Sequence, residues 1–284
     1  MNIHATLTPA THGILVRDLK FNRDPARHPR WWHGNDPVPT AFFNALSCTF
    51  PAGEKFFMDS VRAYRREVGP ELQAQIKQFL GQEAVHSREH AAFNALAANS
   101  GYDVARLEAR TKKVLDFARK RSKQRQLAAT CALEHFTAIL AHALLAGDSA
   151  DMAAAPIDAE RLWSWHAIEE IEHKAVAYDT FLVATRDLTG LRRYIMRSFA
   201  MILATIILFS TIKASMADLY RADGIKGPRI WGRTIAYLFG SNGVLRRIFP
   251  LWLTYFKPGF HPWQHDDRDL LARAQARLGL EAAA

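Results

Sequence analysis

Four long segments of this chain repeat apolar residues every three and four positions, and each repeat also contains one or more glutamates. Such spacing places the repeated residues on one face of an α-helix, the face that packs into a core. A carboxylate on that face is costly unless something compensates its charge. No Lys or Arg lies on the same four faces, so salt bridges do not explain the glutamates. The pattern therefore predicts helices that surround a shared cation site.

The polar residues on the four apolar faces follow a regular pattern. The faces within 50–68 and 127–144 each hold a single glutamate, whereas those within 72–97 and 163–181 each hold Glu-x-x-His. Side chains at i and i+3 lie on one helix face and can bind one ion together. Two lone glutamates and two Glu-x-x-His pairs are the dimetal ligand set of a four-helix bundle. The predicted metal ligands are Glu54, Glu83, His86, Glu134, Glu170 and His173.

This donor set predicts two bound metal ions. Oxygen-rich donors with one imidazole for each metal suit iron or manganese better than zinc. Iron is therefore expected, with manganese or zinc as the alternatives.

The fourth face contains a run of acidic residues that leaves a choice of ligand. Glu169 and Glu172 flank Glu170, so a surface acidic run or a register shift that presents Glu169 is an alternative. Only Glu170 has a histidine both three residues later and four residues earlier. We therefore expect Glu170 to be the ligand and its two acidic neighbours to be solvated. His135 and His142 lie beside the third face and are expected to be ordinary boundary histidines.

Two further histidines, His90 and His166, are the candidate catalytic residues. His90 lies one turn after His86, and His166 lies one turn before Glu170. In antiparallel helices both would lie on the same side of the metals. They would then be additional ligands, partners of ligands or proton shuttles. The alternative is a pair of hydrogen-bonded core histidines.

The chain divides into three predicted regions. Residues 1–38 contain several X-Pro pairs and predict an irregular arm. Residues 39–187 lack alternating β-branched runs and predict the four-helix bundle, with one unbroken helix across the fourth face. Residues 188–284 predict a basic, apolar and aromatic helical extension. The predicted fold class is all-α, a ferritin-like four-helix bundle with extra C-terminal helices.

The positive charge lies in the extension. The 284-residue chain has a net charge of +9, and residues 190–260 contain 11 basic and two acidic residues. Fifteen uncharged residues separate Arg197 from Lys213, fewer than the about 20 needed to cross a bilayer. Basic and aromatic residues mixed in this way suit a membrane interface with anionic lipids.

Three interpretations of this region remain open. They are a peripheral membrane contact through 190–263, a buried lid or homodimer interface, and a transmembrane span. Nucleic acid is not an expected partner, because the basic residues are embedded in apolar runs and no binding motif accompanies them.

The expected compartment is the cytoplasm. The two cysteines, Cys48 and Cys131, form no CxxC motif, which argues against a disulfide scaffold or a thiolate zinc site. The first 25 residues lack the uninterrupted apolar core of a signal peptide. If residues 190–263 meet lipid, the protein is expected at the inner face of the membrane.

Several motifs resemble those of known families. Residues 40–187 resemble the ferritin-like superfamily of dimetal carboxylate proteins. Nearly the whole chain also resembles the bacterial family described as predicted metal-dependent hydrolases. The matching segments are RWWHG at 30–34, FPAGEKFF at 50–57, QEAVH at 82–86, EIEHK at 170–174 and KPGFHPW at 257–263. The superfamily resemblance implies the same six ligands, although Glu54 closely follows Pro51 and so lies near a helix start.

These resemblances imply two kinds of chemistry. The superfamily implies reactions of O₂, and the narrower family name implies hydrolysis. The expected function is a di-iron carboxylate enzyme that oxidises or oxygenates an apolar, lipid-like substrate with O₂. The alternatives are a hydrolase with a binuclear site, a ferroxidase or metal-handling protein, and a membrane-associated protein with a structural metal.

Overall fold

The chain is built from α-helices. The computed structural model describes residues 8–9, 13–21, 24–147 and 150–280, and the remaining parts of the predicted arm and tail lie outside the described residues. Across these ranges there is no strand, so the prediction of an all-α fold is confirmed. The helices are α1 (Pro37–Ser47), α2 (Phe50–Arg62), α3 (Pro70–Asn99), α4 (Val104–Arg119), α5 (Lys123–Ala146), α6 (Ile157–His173), α7 (Val176–Ala184), α8 (Gly190–Ala222), α9 (Pro228–Phe239), α10 (Val244–Thr254) and α11 (Arg268–Leu278).

Local sequence signals fix the ends of the bundle helices. The side chain of Ser122 accepts a hydrogen bond from the backbone N–H of Arg125 and caps α5. Pro70 is the first residue of α3, where its missing N–H leaves no hydrogen bond unmade. Gly101 follows the end of α3 with a φ of 89°, a conformation that favours glycine.

Helices α2, α3, α5 and α6 form the bundle that holds the predicted ligands. Helix α2 packs along α3, α5 packs along α6 and α7, and contacts of α2 with α5 and of α3 with α6 join the two pairs. Side-chain hydrogen bonds join α3 residues 82, 86 and 90 to α6 residues 172, 169 and 166, so these two helices are antiparallel. This arrangement is compatible with a ferritin-like bundle.

The fourth bundle helix is interrupted, which the sequence did not predict. Helix α6 ends at His173 and α7 begins at Val176, although residues 157–184 contain no Pro or Gly. At the break, the buried Lys174 ammonium donates to an Asp267 oxygen at 2.5 Å and to the His265 carbonyl at 2.7 Å. The break thus coincides with a contact between distant parts of the chain, and no helix-breaking residue marks it.

An extended segment, residues 13–21, crosses α3 and α6. Its contacts with the bundle include a hydrogen bond from the Gln82 amide to the Leu15 carbonyl and one from the Phe21 N–H to Glu89. Arg17 in this segment is buried. The segment therefore closes one side of the bundle.

The C-terminal helices cover another part of the bundle. Helix α8 packs along α5 and α1, and α10 packs on α5. Within the described residues, α5 and α8 are the two helices that are long and apolar enough to cross a membrane. Helix α5 is mostly buried in the bundle, whereas most of α8 is not.

Candidate metal centre

The structure brings the six predicted ligands into one buried cluster. Helix α2 contributes Glu54, α5 contributes Glu134, and α3 and α6 each contribute a Glu-x-x-His pair. Each of the six side chains is almost completely shielded from solvent. Three sets of donors lie within reach of a common ion, namely Glu54 with His86 and His166, Glu83 with His86 and Glu170, and Glu83 with Glu134 and His173. Metal binding by these residues stays a prediction.

The distances place two glutamates between two histidines. His173 Nε2 lies 3.1 Å from Glu83 Oε1, 3.4 Å from Glu134 Oε2 and 3.5 Å from Glu170 Oε2. On the other side, His86 Nδ1 lies 3.4 Å from Glu170 Oε1. Glu83 and Glu170 are thus the central pair, with one histidine on each side.

The carboxylates of this cluster fit bound cations. Both oxygens of Glu54, Glu83 and Glu134 are buried and have no hydrogen-bond partner among the described residues. No Lys or Arg in the described ranges forms an ion pair with them. Buried polar atoms without partners are rare and costly. Two divalent cations would satisfy these oxygens, so the residues present fit a dimetal site.

Burial and charge shift the proton affinities of the cluster. Burial raises the pKa of Glu54 and Glu83, and with the charge of Glu83 it raises the pKa of Glu134 to about 8. Burial alone would lower the pKa of His86, but hydrogen bonds to Glu169 and Glu170 raise it to about 10. The metal-free cluster therefore holds protons near neutral pH that bound metal would displace.

These pKa shifts predict how the stability of the metal-free protein varies with pH. In the unfolded chain, Glu134 ionises near pH 4.5 and His86 loses its proton near pH 6.5. The folded chain keeps both protons at higher pH, so the free energy of unfolding should fall from pH 6.5 to 8. Each extra proton held contributes about 1.4 kcal/mol per pH unit. Urea unfolding at several pH values checks this. The metal-loaded protein should lack the decline, and a rising metal-free profile would contradict the account.

Neighbouring side chains orient the two predicted histidine ligands. The Nε2 of His86 lies 3.0 Å from Glu169 Oε2, and the Nδ1 of His173 lies 2.9 Å from Gln82 Oε1. If these nitrogens donate to the oxygens, the other nitrogen of each ring faces the carboxylate cluster. Such partners fix the tautomer and the orientation of a metal-binding histidine.

The expectation that Glu169 and Glu172 are solvated is wrong. Both are buried, because the extended segment covers this side of α6. Arg17 Nη1 lies 3.3 Å from Glu169 Oε1, and Arg17 Nη2 lies 2.7 Å from Glu172 Oε1. Trp165 donates to Glu169 and Gln82 donates to Glu172. A buried support of the cluster was therefore mistaken for a surface acidic run.

The candidate catalytic histidines, His90 and His166, lie directly beside the cluster. His166 Nε2 is 2.8 Å from Glu170 Oε1, and His166 Nδ1 is 2.6 Å from His90 Nε2. A chain of contacts continues from His90 to Ser47 at 2.9 Å and from Ser47 to Asn94 at 2.6 Å. The two histidines are thus a hydrogen-bonded pair, and a catalytic role for them stays a prediction.

The directions of the hydrogen bonds from His166 to Asn94 identify which ring nitrogen of His166 carries no proton. The Asn94 amide nitrogen donates to Glu108, so the Asn94 amide oxygen accepts the single proton of the Ser47 hydroxyl. His90 Nδ1 must then donate to Ser47, and His90 Nε2 must accept from His166 Nδ1. Burial lowers the pKa of His166 to about 4, so its ring is neutral. The lone pair on His166 Nε2 therefore faces the Glu170 carboxylate, and an intervening cation would satisfy both atoms.

A substitution of Ser47 tests this series of hydrogen bonds. Ser47→Ala removes the acceptor of His90 and should weaken metal binding by about 10-fold, the lower range for an outer partner of a ligand. Competition titration with a chelator measures the affinity. Ser60→Ala is the matched control, because Ser60 is also buried but bonds to Thr130. Equal losses in the two variants would refute a specific role for Ser47.

The structure places His135 and His142 outside the cluster. His135 contacts the Leu251 carbonyl, and burial lowers its pKa to about 4. His142 Nδ1 lies 2.8 Å from Asp267 Oδ1. His142, His265 and Asp267 form a further set of three possible metal donors. Asp267, however, already binds the ammonium of Lys174.

A narrow apolar pocket of about 60 Å³ ends at the cluster. Its walls include Phe42, Phe50 and Trp163, and its polar lining includes His166 and Glu170. The pocket gives an apolar group a place beside the central carboxylate.

Sequence reasoning missed three supports of the site. Arg17, Gln82 and Trp165 bind Glu169 and Glu172, the glutamates behind the predicted ligands. Gln82 directly precedes Glu83, but neither it nor Trp165 belongs to the ligand faces identified from the sequence. Arg17 lies 152 residues before Glu169, so no local pattern connects them.

The fold and the cluster define a helical-bundle protein with a buried, carboxylate-rich candidate metal site. A family model described as "Predicted metal-dependent hydrolase" matches residues 15–266. The chain belongs to that family, which confirms the narrower resemblance. Neither a curated protein nor a solved structure gives a significant match.

Proposed function

We propose that the chain is a binuclear metal-dependent hydrolase that acts on an ester or phosphoester with an apolar chain. The observation that carries this proposal is the group of buried carboxylates with unpartnered oxygens, one of which, Glu170, lines the end of an apolar pocket. The family description supports hydrolysis over the oxidation that the donor set alone suggested. The metal identity belongs to the proposal.

The cluster residues form two sets, and each set would hold one metal ion. Glu54 and His86, with His166, would hold one ion, and Glu134 and His173 would hold the other. Glu83 and Glu170 lie between these sets and would contact both. Two bound metal ions supply Lewis-acid polarisation of a substrate oxygen and lower the pKa of water.

The chain itself would position and shield the substrate. Phe50 and Trp163 line the pocket and would exclude water from the apolar part of the substrate. His90 holds His166 in one orientation, which keeps the same nitrogen directed at the cluster. Gln82 holds the ring of His173 in one orientation, and Glu169 holds the ring of His86.

The test is hydrolysis by protein loaded separately with manganese, zinc or iron. The substrates are nitrophenyl esters and phosphoesters of increasing chain length, assayed with and without O₂. The expected result is hydrolysis that is independent of O₂, increases with chain length and is absent from Glu83→Gln. Glu71→Gln is the matched control, because Glu71 lies on the same helix but is exposed. Absence of hydrolysis with every metal would reject the proposal.

Oxidation with O₂ is the second candidate function. The specific observation that favours it is the donor set, since four glutamates with few imidazoles suit iron or manganese. The distinguishing result is a new absorption band when O₂ meets the iron-loaded protein, with turnover only when an electron donor is present.

A further inference from the structure

Helix α8 exposes a continuous apolar stripe. Its residues are spaced by three or four positions, so they share one helix face. Each is between 48% and 67% exposed. The residues of this stripe, here called the α8 stripe, are Leu191, Ile195, Phe199, Ile202 and Ile206. A row of large apolar side chains this long is unusual on a surface that meets only water.

Neighbouring helices widen the apolar surface. Ile235 and Phe239 of α9, and Phe249 and Leu253 of α10, are also exposed. An apolar cavity of about 630 Å³ lies between these helices and α8. The α8 stripe is therefore one part of a broad apolar face.

Unpaired cations border this face. Arg192 lies directly after Leu191 at the start of the α8 stripe, Lys213 lies seven residues after Ile206 at its end, and Arg246 lies on the exposed side of α10 together with Phe249. In the described part of the chain none of the three cations forms an ion pair.

The local acidic residues do not neutralise these cations. The two acidic residues of 190–260, Asp218 and Asp223, already bind arginines elsewhere. The face thus presents net positive charge around an apolar centre.

We infer that this face docks onto an anionic lipid bilayer. Apolar side chains would enter the boundary between headgroups and acyl chains, and the bordering cations would contact anionic headgroups. This inference does not depend on the proposed hydrolysis.

The packing of α8 favours docking over spanning. Its inner face contacts α5, α1 and α4 of the bundle. On that face Arg197 is buried and donates hydrogen bonds to the backbone carbonyls of Tyr255 and Lys257. A helix surrounded by lipid could not keep these contacts, so only the outer face of α8 is available to the bilayer.

The bordering cations argue against a second copy of the chain as the partner that covers this apolar face. A two-fold dimer uses the same surface of both copies, so the two α8 helices would pair either antiparallel or parallel. In the antiparallel pair Arg192 of one copy would approach Lys213 of the other, and in the parallel pair each cation would approach its own counterpart. Like charges meet in both arrangements and disfavour association.

The docked face leads toward the candidate metal centre. An apolar cavity of about 780 Å³ lies between α8 and the bundle and includes Ile195 and Phe199. It shares Leu46, Phe50 and Thr137 with the small pocket that ends at His166. If the proposed function holds, an acyl chain from the bilayer would follow this route.

The test is sedimentation of the full-length, metal-loaded protein with lipid vesicles. Vesicles with phosphatidylglycerol should bind it at least about 10-fold better than pure phosphatidylcholine at about 0.1 M salt, where charges still interact over about 10 Å. Ile202→Asp with Ile206→Asp should abolish binding to both, and neither residue lines the cavity between α8 and the bundle. Arg192→Gln with Lys213→Gln should remove the preference for anionic vesicles.

A matched control and the oligomeric state complete the experiment. Ile157→Asp changes an equally exposed apolar residue of α6 and should leave vesicle binding unchanged. Equal loss in this control, or equal binding to neutral and anionic vesicles, would overturn the inference. A dimer in solution that the double aspartate variant dissociates would also overturn it.

Failure of docking and failure of the proposed hydrolysis are distinguishable. The aspartate variant should keep its metal content and its hydrolysis of short, water-soluble esters. Glu83→Gln should lose both and still bind vesicles.

Discussion

Glu83→Gln is expected to remove both metal ions from the purified protein. The Glu83 carboxylate belongs to two of the three donor sets, and it lies 3.1 Å from His173 Nε2. Loss of a residue that only contacts a metal ligand weakens metal binding by about 10–100-fold. Loss of the Glu83 carboxylate should weaken it more. Elemental analysis and metal titration against a competing chelator measure the effect.

The same substitution should not unfold the metal-free protein. Gln has nearly the volume of Glu, and it removes a carboxylate whose buried oxygens have no hydrogen-bond partner. The melting temperature without metal should therefore equal or exceed that of the wild type. Glu71→Gln should leave both metal content and melting temperature unchanged. Two tightly bound ions per chain in Glu83→Gln would show that the site assignment is wrong.

Arg17→Ala is expected to cause the largest loss of stability. The guanidinium is buried and pairs with both Glu169 and Glu172, so its removal leaves two buried carboxylates short of a cation. Breaking one partner of a buried ion pair costs about 3–5 kcal/mol. Urea unfolding of the metal-loaded protein should show a loss of this size.

Metal affinity provides a second measure of the same variant. Glu169 accepts a hydrogen bond from His86, so its displacement should weaken metal binding by about 10–100-fold. Lys20→Ala is the control, because Lys20 lies in the same segment but is exposed. It should change the free energy of unfolding by no more than about 0.5 kcal/mol. A loss below about 1 kcal/mol for Arg17→Ala would contradict the role given to the extended segment.

The cluster was predictable because helical periodicity links sequence position to a helix face. Glu83 and His86 are one turn apart, so their common direction follows from the sequence alone. The meeting of four such faces then follows from the need to bury them together. The antiparallel arrangement also explains why His90 and His166 meet, as the spacing predicted if α3 and α6 run in opposite directions.

The supports behind the cluster were not predictable from periodicity. Glu169 and Glu172 looked like surface residues because the pattern shows only which side of a helix faces the bundle core. Their burial depends on Arg17, which the folded chain brings from more than 150 residues away. The break between α6 and α7 likewise coincides with the contact of Lys174 with Asp267 and with no Pro or Gly.

The most direct test of the account is anomalous diffraction from crystals of the metal-loaded protein, recorded on both sides of the metal absorption edge. We expect two peaks within the cluster, one beside His86 and one beside His173. Peaks that appear only at the separate donor set of His142, His265 and Asp267, or no peaks in protein loaded with excess metal, would contradict this assignment.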